Sequence, residues 1–445
     1  MKKTLLSLTM CIVALLANAQ EPVITLTADV DGTERTFQFG SAVEGENKIS
    51  IDWGDGTIVE GATLSGIYDD WNVYATPVVG TPKGNGEIKI YATGDINYFE
   101  GVSTVGGPGI TTLDVSKATE LIEIYADGNK LTTIDVSMLS KLNKLLLNNN
   151  SLTEMNLTPS LTTIEVNENN LTSFDGSELP ALSTLKINGN PLGTLDVSNM
   201  PALKSVYAQN CGLTSFNAGA MTIAKSYISL SKNLLETLDV SEATGLAEGY
   251  LVVDGNNLTE IKYPDVTYNQ FKVQNNKFTF ATVPVAVKTK KANNFVNAPQ
   301  QDMEIEDING TIDLSSQNIV GAGEEAKATV YTWYAEDGTA LVAGTDYTEE
   351  AGKFTFIKDQ AQKVYCTMTN EALPQFTGAN VFKTVAVTVK SVDTGIDNVE
   401  AAEELTGDIY SVDGKLIVRN ASVSTMAKGL YIVKTADGKA VKVIR

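Results

Sequence analysis

The sequence predicts a mainly β protein with a solenoid at its centre and β-sandwich domains on either side. Three observations support this fold class. Between Ile110 and Val283 the chain repeats eight or nine times with a period of about 21 residues. Each repeat places apolar residues at fixed positions around a single polar one. The flanking segments instead alternate apolar and polar residues in short runs broken by Gly and Asp, a pattern typical of antiparallel strands.

The repeat has the form of a leucine-rich repeat. In one unit the recurring positions are Leu121, Ile124, Ala126, Asn129 and Leu131. A single unit of this length cannot bury its apolar side chains, so neighbouring units must stack and align their short strands in a parallel sheet along one concave face. We therefore predict a leucine-rich-repeat solenoid over residues 88–287.

One polar position recurs in every repeat, and we predict a structural role for it. It lies at the tight turn after the strand, where backbone groups have no strand partner and buried polar groups must still be paired. A Cys side chain is a small, weak donor that fits the same position. The predicted structural ladder consists of Asn129, Asn150, Asn169, Asn190, Cys211, Asn233, Asn256 and Asn276.

Alternation along each strand predicts which side chains leave the concave sheet. Since neighbouring strands are about 4.8 Å apart, Tyr207, Tyr227 and Tyr250 should form one aromatic patch. Tyr is enriched at binding hot spots, but it also favours strands for packing reasons, and both interpretations stay open. The candidate ligand-binding residues are Tyr125, Glu165, Lys186, Tyr207, Tyr227, Tyr250, Asn167, Asn188 and Gln209.

A second polar column, on the other edge of the repeats, consists mostly of Asp and Asn. Capping of turns by these side chains explains it better than cation binding does. The members of this column are Asp114, Asp135, Asn156, Asp175, Asp196, Asn217, Asp239 and Lys262.

Composition argues against several classes of function. A formal net charge of −21 disfavours nucleic acid as a partner, because such binding depends on clustered Lys and Arg. The chain contains no His, which excludes the Ser-His-Asp triad and imidazole acid-base chemistry. Paired carboxylates leave a secreted glycosidase as a minor alternative. We predict no catalytic residues, no cofactor and no metal site, and we expect a monomer.

The start of the chain has the three parts of a secretory signal peptide. Lys2 and Lys3 are followed by an apolar run from Leu5 to Leu16 and by small residues that end at Ala19. We therefore predict a signal peptide over 1–19 and a secreted or cell-surface location, associated with the outer membrane. No later segment is long and apolar enough to predict a transmembrane helix.

The run Ile-Asp-Trp-Gly-Asp-Gly-Thr from Ile51 to Thr57 resembles the signature of PKD-like surface domains. The resemblance implies a small β-sandwich over 20–87 with Trp53 in its core. Asp55 and the Gly after it suit a tight hairpin turn. A calcium site at Asp52 and Asp55 is the alternative, although calcium prefers six or more oxygens. The strand near 87–92 is expected to cover the first turn of the solenoid.

Two further resemblances lie after the solenoid. Residues 288–392 resemble a bacterial immunoglobulin-like sandwich. The resemblance rests on Trp333, Cys366 and a closing strand, and the usual disulfide between two Cys is missing. Residues 393–445 are similar to the C-terminal sorting domain of the type IX secretion route in Bacteroidetes. The similarity rests on two strand-turn units around Ile409 and Leu430. That second resemblance implies export across the outer membrane.

The repeats themselves, with Leu-Asp-Val-Ser recurring from Leu113, Leu195 and Leu238, resemble the internalin-J-like repeats of bacterial adhesins. The resemblance implies a non-catalytic surface protein whose concave face binds an extracellular protein or glycan. A glycan-binding component of a nutrient-capture system is the alternative. Neither implication identifies a ligand, because such scaffolds share a fold while their partners differ.

Overall fold

The structure is a computed structural model that describes residues 21–42, 47–64, 75–285, 287–321, 326–391, 399–400, 405–427, 429–436 and 438–444. The predicted signal peptide, 1–19, lies outside the described residues. The chain forms two compact units, Met1–Gln301 and Asp302–Arg445. The prediction of a mainly β fold built on a leucine-rich-repeat solenoid is confirmed.

The first unit begins with a small two-sheet sandwich. Its strands are β1 (Ile24–Ala28), β2 (Arg35–Gly40), β3 (Lys48–Asp52), β4 (Ile58–Thr63), β5 (Thr76–Gly80) and β6 (Glu87–Ala92). The inward side chains along these strands are buried, as the alternation predicts. Trp53 is 5% exposed and stacks on Phe37 with 5.5 Å between ring centroids, so the core position predicted for Trp53 is confirmed.

The concave sheet of the solenoid consists of short strands paired in parallel. They are β7 (Tyr98–Glu100), β9 (Glu123–Tyr125), β11 (Lys144–Leu146), β13 (Thr163–Glu165), β14 (Thr184–Lys186), β16 (Ser205–Tyr207), β18 (Tyr227–Ser229), β20 (Tyr250–Val252), β22 (Gln270–Lys272) and β23 (Phe295–Val296). Each three-residue strand buries its central side chain and turns the flanking two towards the concave surface. Since β23 pairs with β22, the sheet continues beyond residue 287.

The opposite edge of the repeats carries a second series of short strands. They are β8 (Ile110–Asp114), β10 (Thr133–Asp135), β12 (Glu154–Asn156), β15 (Thr194–Asp196), β17 (Ser215–Asn217), β19 (Thr237–Asp239) and β21 (Glu260–Lys262). Parallel pairing joins β10 to β12, β15 to β17 and β19 to β21. Leu and Ile side chains from both series meet between them and form the core.

The sandwich and the solenoid share both of their sheets. Strand β1 is antiparallel to β6 on one side and to β8 on the other, so that Leu26 lies opposite both Ile88 and Leu113. Strand β2 is antiparallel to β7 and extends the concave sheet, which then ends at β5. The expectation that the strand at 87–92 covers the first solenoid turn is wrong, because β3 and β1 occupy both edges of β6.

The second unit begins with short antiparallel strands. They are β24 (Thr311–Asp313), β25 (Ile319–Val320), β26 (Lys327–Ala328), β27 (Val330–Ala335), β28 (Tyr347–Glu350), β29 (Lys353–Phe356), β30 (Val364–Thr369) and β31 (Phe382–Lys383). Trp333 is completely buried between Phe354 and Phe356 and lies opposite Cys366 across the β27–β30 pair. Trp333 is therefore the centre of this core.

The C-terminal residues form one sheet from β32 (Val399–Glu400), β33 (Thr406–Tyr410), β34 (Leu416–Ser422), β35 (Leu430–Lys434) and β36 (Ala440–Ile444), in the order β32-β36-β35-β33-β34. Its small core contains Ile409, Val423, Val433, Val441 and Val443. Among the described residues, short 3₁₀ segments lie at Thr244–Leu246, Ala292–Asn294, Ser315–Gln317, Gly378–Asn380 and Val423–Thr425. Within the described ranges, no helix has the length and apolarity needed to cross a membrane.

Candidate functional site on the concave face

The candidate site is the concave face, where strand register places the outward side chains in columns. In register, Glu123 lies opposite Lys144, which lies opposite Thr163, and the same column continues to Tyr227 and Tyr250. A parallel column runs through the last residue of each strand and contains Tyr125, Glu165, Lys186 and Tyr207. All nine candidate ligand-binding residues are half-buried, since concave curvature crowds them together.

Three tyrosines stack along the C-terminal half of this face. Ring centroids are 4.7 Å apart for Tyr207 and Tyr227, and 4.8 Å apart for Tyr227 and Tyr250, with interplanar angles of 23° and 24°. Tyr227 and Tyr250 are directly opposite in register, whereas Tyr207 reaches diagonally from the other column. The spacing of about 4.8 Å between strands matches the distance at which offset aromatic rings stack.

The ring faces in this stack are largely occupied by other groups of the chain. Tyr227 lies between its two neighbours, and Lys186 Nζ lies 5.9 Å from the Tyr207 ring centroid. Asn269 donates a hydrogen bond from Nδ2 to the Tyr250 hydroxyl. Burial raises the pKa of Tyr227, and the two adjacent tyrosines raise it further. The stack therefore presents ring edges and hydroxyl groups to a ligand.

The N-terminal half of the face carries paired charges beside tyrosines. Lys144 Nζ lies 2.8 Å from Glu123 Oε1 and 6.0 Å from the Tyr125 ring centroid. The Tyr125 hydroxyl donates to Glu123 Oε2 at 2.7 Å. At the boundary between the two halves, Lys186 on β14 and Glu165 on β13 form the equivalent ion pair, also at 2.8 Å. These side chains hold one another in place, which gives the surface a fixed pattern of charge.

Two residues of this face were missed by the sequence analysis. Tyr98 and Glu100, on β7, lie opposite Glu123 and Tyr125, and the Tyr98 and Tyr125 rings are 5.3 Å apart. The Tyr98 hydroxyl donates to Glu100 Oε2 at 2.5 Å. Strand β7 precedes the first recognisable repeat, so it lay outside the segment in which the 21-residue repeats were aligned. A local signal existed, because apolar Phe99 between two polar side chains repeats the pattern of the later strands.

The amide side chains next to these columns are bonded to one another. Asp127 Oδ1 accepts from the backbone N and Nδ2 of Asn148 at 2.6 and 3.1 Å. Asn148 Oδ1 accepts hydrogen bonds from the backbone N and Nδ2 of Asn167. Asn167 Oδ1 accepts hydrogen bonds from the backbone N and Nδ2 of Asn188. Asn188 Oδ1 accepts from Gln209 N at 2.8 Å. The Oδ1 atoms of the three asparagines are thus already bonded, and these amides offer a ligand mainly their remaining N–H donors.

The buried ladder pairs the backbone of successive turns. Asn190 Nδ2 donates to the carbonyl oxygens of Val166 and Ile187, at 2.9 Å each, and its Oδ1 accepts from Leu171 N at 3.0 Å. The other ladder asparagines bond to equivalent positions of their own and the preceding repeats. Most of them are fully buried, while Asn150 is partly exposed. The ladder side chains are thus hydrogen-bonded to backbone groups of their own repeat and of the preceding repeat.

Cys211 supplies only part of this pattern. Its Sγ lies 3.3 Å from the carbonyl oxygens of Ile187 and Gln209, as a weak donor would. A thiol has no amide oxygen to accept the N–H of the preceding turn, and Leu192 N instead donates to the Asn190 carbonyl at 2.8 Å. The chain thus compensates locally for the missing acceptor.

Gln300 extends the ladder after the sequence period has ended. Its Oε1 accepts from Asn276 N at 2.9 Å, and its Nε2 donates to the carbonyl oxygens of Val273 and Asn297 at 3.0 and 2.5 Å. Sequence analysis missed Gln300 because no repeat aligns around it. Its side chain therefore forms hydrogen bonds with backbone groups of the last turn, at the C-terminal end of the solenoid.

The second polar column caps turns. Asp135 Oδ1 accepts from Ser137 N at 3.0 Å, and Asp196 Oδ1 from Ser198 N at 2.9 Å. Hydrogen bonds from the side chains of Ser137 and Ser198, and then these backbone bonds, lower the pKa of both carboxyl groups. Lys262 lies 3.7 Å from the preceding member of the column, Asp239. The geometry is that of Asx turns, which supports the capping interpretation over cation binding.

The carboxylates proposed for the calcium alternative are also engaged. Asp52 Oδ1 accepts from the backbone N of Gly54 and Gly56 at 2.9 and 3.0 Å, and Asp55 pairs with Lys83 at 2.7 Å. Across the residues that the structure describes, no group of three or more Cys, Asp or Glu side chains is arranged to hold a metal ion.

Fold and ladder together define the class of protein as a leucine-rich-repeat solenoid protein. The functional domain of InlJ from Listeria monocytogenes, which includes a cysteine ladder, aligns with 66% of this chain and 66% of its own length, at 21% identity and a TM-score of 0.43. The leucine-rich-repeat domain of APL1B aligns with 56% of this chain and 92% of its own length, at 16% identity and a TM-score of 0.27. No protein-family model and no curated protein matches the sequence. Because both TM-scores are low, the class rests on the repeat and structure of this chain.

Proposed function

We propose that this chain is an exported, non-catalytic binding protein, adhesin-like in its role, that holds an extracellular protein on its concave face. The observation that carries the proposal is the stack of Tyr207, Tyr227 and Tyr250 on a face where most other outward side chains are polar. Stacked tyrosines lose little side-chain entropy when a partner binds, because the neighbouring rings already order them. They also combine apolar area with a hydroxyl group, which is the chemistry of a protein hot spot.

The geometry of the stack favours a protein over a glycan. A sugar ring packs its C–H groups on the face of an aromatic ring, where the electron density of the π system is highest. In this stack both faces of Tyr227 are occupied by tyrosines, and Lys186 lies over Tyr207. The available edges and hydroxyl groups suit the mixed polar and apolar surface of a protein loop.

A binding role also agrees with the state of the concave carboxylates. Glu123 and Glu165 each form an ion pair with a lysine, and Glu123 accepts a further hydrogen bond from Tyr125. Hydrolysis of a glycoside needs one carboxyl group that is kept protonated and another that is ionised and free to react. Both carboxylates are instead held in ion pairs with lysines, so neither is free to react.

The test is a binding screen of the chain from Gln20 onward against arrays of extracellular proteins and of glycans. We expect binding to one or more proteins, and we expect Tyr227→Ala/Tyr250→Ala to weaken it about thirtyfold, the effect of losing a hot-spot contact. The matched control is Tyr334→Ala/Tyr365→Ala, which removes a stacked tyrosine pair with centroids 5.6 Å apart in the second unit. This control should bind like the unmodified chain.

Binding to glycans alone would replace the proposal with the nutrient-capture alternative. Protein binding that survives the concave substitution, or that the control substitution removes as well, would show that the tyrosine stack is not the site. The export step is tested separately by mass spectrometry of the protein from its native host. A mature N-terminus at Gln20 is expected, and an intact Met1 would contradict export through the predicted signal peptide.

A further inference from the structure

We propose that the N-terminal half of the concave face receives a basic segment of the protein partner, with a Lys or Arg side chain bound at Glu100 and Asp127. The inference rests on the proposed function and adds the chemistry of the partner at a defined part of the surface. Its support comes from the distribution of charge, from the pairing of individual carboxylates and from a glutamate–tyrosine–lysine group that occurs twice and lacks its lysine at a third place.

Charge is distributed unevenly along the concave columns. The outward positions of strands β7 to β13, with the amide position that follows each strand, contain four carboxylates and one lysine: Glu100, Glu123, Asp127, Glu165 and Lys144. The same positions of β14 to β22 contain two lysines and one carboxylate: Lys186, Lys272 and Asp254. A partner that covers the whole face is therefore favoured when it is basic at one end.

Two of the four carboxylates have no cationic partner among the described residues. Glu123 and Glu165 are each 2.8 Å from a lysine Nζ. Glu100 accepts from the Tyr98 hydroxyl, and the Asp127 carboxylate accepts from the backbone N and Nδ2 of Asn148. Burial raises the pKa of Asp127, and the nearby charges of Glu165 and Glu100 raise it further. A positive charge brought by the partner would relieve this repulsion.

The chain itself shows how a cation sits on this surface. Lys144 lies beside Glu123 and 6.0 Å from the Tyr125 ring centroid, and Lys186 lies beside Glu165 and 5.9 Å from the Tyr207 ring centroid. Each group thus combines a glutamate, a tyrosine and a lysine, an arrangement that joins an ion pair to a cation–π contact. The same surface chemistry is used twice.

Tyr98 and Glu100 form a third glutamate-tyrosine group, which the chain does not complete. Strand β2 places Gly40 opposite Tyr98 and Gln38 opposite Glu100 on one side. On the other side the opposed residues are Glu123 and Tyr125. Neither neighbouring strand brings a lysine or arginine to Glu100. The missing element of the group is therefore a cation, and a basic side chain of the partner supplies it.

The experiment uses a random dodecapeptide library displayed on phage and selected on the full chain without its signal peptide. We expect the selected peptides to be enriched in Lys and Arg. Selection on Glu100→Gln/Asp127→Asn should remove that enrichment. Both substitutions keep an acceptor oxygen for the Tyr98 hydroxyl and for Asn148, so the fold is preserved, which circular dichroism will verify.

The matched control is Glu154→Gln/Asp175→Asn, which removes two exposed carboxylates from the opposite edge of the repeats. It changes the net charge equally, so loss of enrichment on this control would reveal non-specific attraction and overturn the proposal. One selected peptide is then synthesised with Arg and with citrulline, its neutral isostere. We expect citrulline to weaken binding to the unmodified chain about tenfold and to leave binding to the site variant unchanged.

The proposal is overturned if the selected peptides show no basic enrichment, if no peptide is selected, or if the enrichment persists on the site variant. Such a result can be told apart from failure of the proposed function. Protein partners that depend on Tyr227 and Tyr250, but bind Glu100→Gln/Asp127→Asn normally, would leave the proposed function in place and refute only the basic-segment inference.

Discussion

Removing the amide of Asn190 should test the energetic role of the buried ladder most directly. Asn190→Ala leaves the N–H of Leu171 without its acceptor, in a fully buried position. An unpaired buried donor costs about 1–3 kcal/mol. The carbonyls of Val166 and Ile187 lose one donor each but keep another, from Asn169 and Cys211. Adding about 1 kcal/mol for these two weaker losses, we expect the free energy of unfolding to fall by about 2–4 kcal/mol.

The assay combines urea unfolding of the full chain, followed by circular dichroism, with hydrogen exchange at the Leu171 amide. Exchange at that amide should accelerate because its hydrogen bond is removed. Asn150→Ala removes equivalent bonds at a partly exposed position and should cost only about half as much, since water can replace them. If the two variants are equally stable, or if Asn190→Ala costs less than about 0.5 kcal/mol, burial does not decide the strength of the ladder.

Three further predictions concern other buried or charged groups. Cys211→Asn should raise the free energy of unfolding by about 0.5–1.5 kcal/mol in urea, because the new oxygen can accept from Leu192 N; Cys211→Ala should lower it, and a gain for both would contradict the explanation. The raised pKa of Asp127 means that the folded state favours its protonated form: the stability from that preference is fully present below the usual Asp pKa of about 3.9 and is lost as pH rises through the raised value. Asp127→Asn should therefore raise the thermal midpoint near neutral pH, with a smaller gain near pH 3, and an equal gain at both pH values would exclude titration as the cause. Finally, Cys211 and Cys366 are fully buried and burial raises the pKa of both thiols, that of Cys366 to about 12; Ellman's reagent should label neither in the native chain and both in urea, and rapid native labelling would show that these positions open.

Local sequence patterns were sufficient for the solenoid and for most of the candidate site. The repeat places one apolar residue at the centre of each short strand, so alternation alone assigns Tyr227 and Tyr250 to the same column. The diagonal approach of Tyr207 depends on side-chain rotamers, and strand register does not determine these. The hydrogen-bond partners of the Asn167 and Asn188 side chains likewise depend on the orientation of each amide group in the folded sheet.

Features outside the period were harder to predict. Gln300 joins the ladder from a segment whose sequence no longer repeats, and β7 precedes the first recognisable unit. The pairing of Leu26 with Leu113 joins residues far apart in sequence, and no short-range pattern specifies such a partner. These contacts form between the apolar edges that remain exposed after the repeats have stacked.

The shared sheets at the start of the first unit impose an order on folding as the chain is made. Strand β1 pairs with β6 and β2 pairs with β5 inside the sandwich, but the second edge of β1 pairs with β8 and that of β2 with β7, which both follow the sandwich in the chain. Each of these two edges therefore lacks its partner until the chain has been made as far as β7 and β8, which ends at Asp114. A polypeptide made N-terminus first would therefore complete both sheets of its leading sandwich only when the first repeats follow.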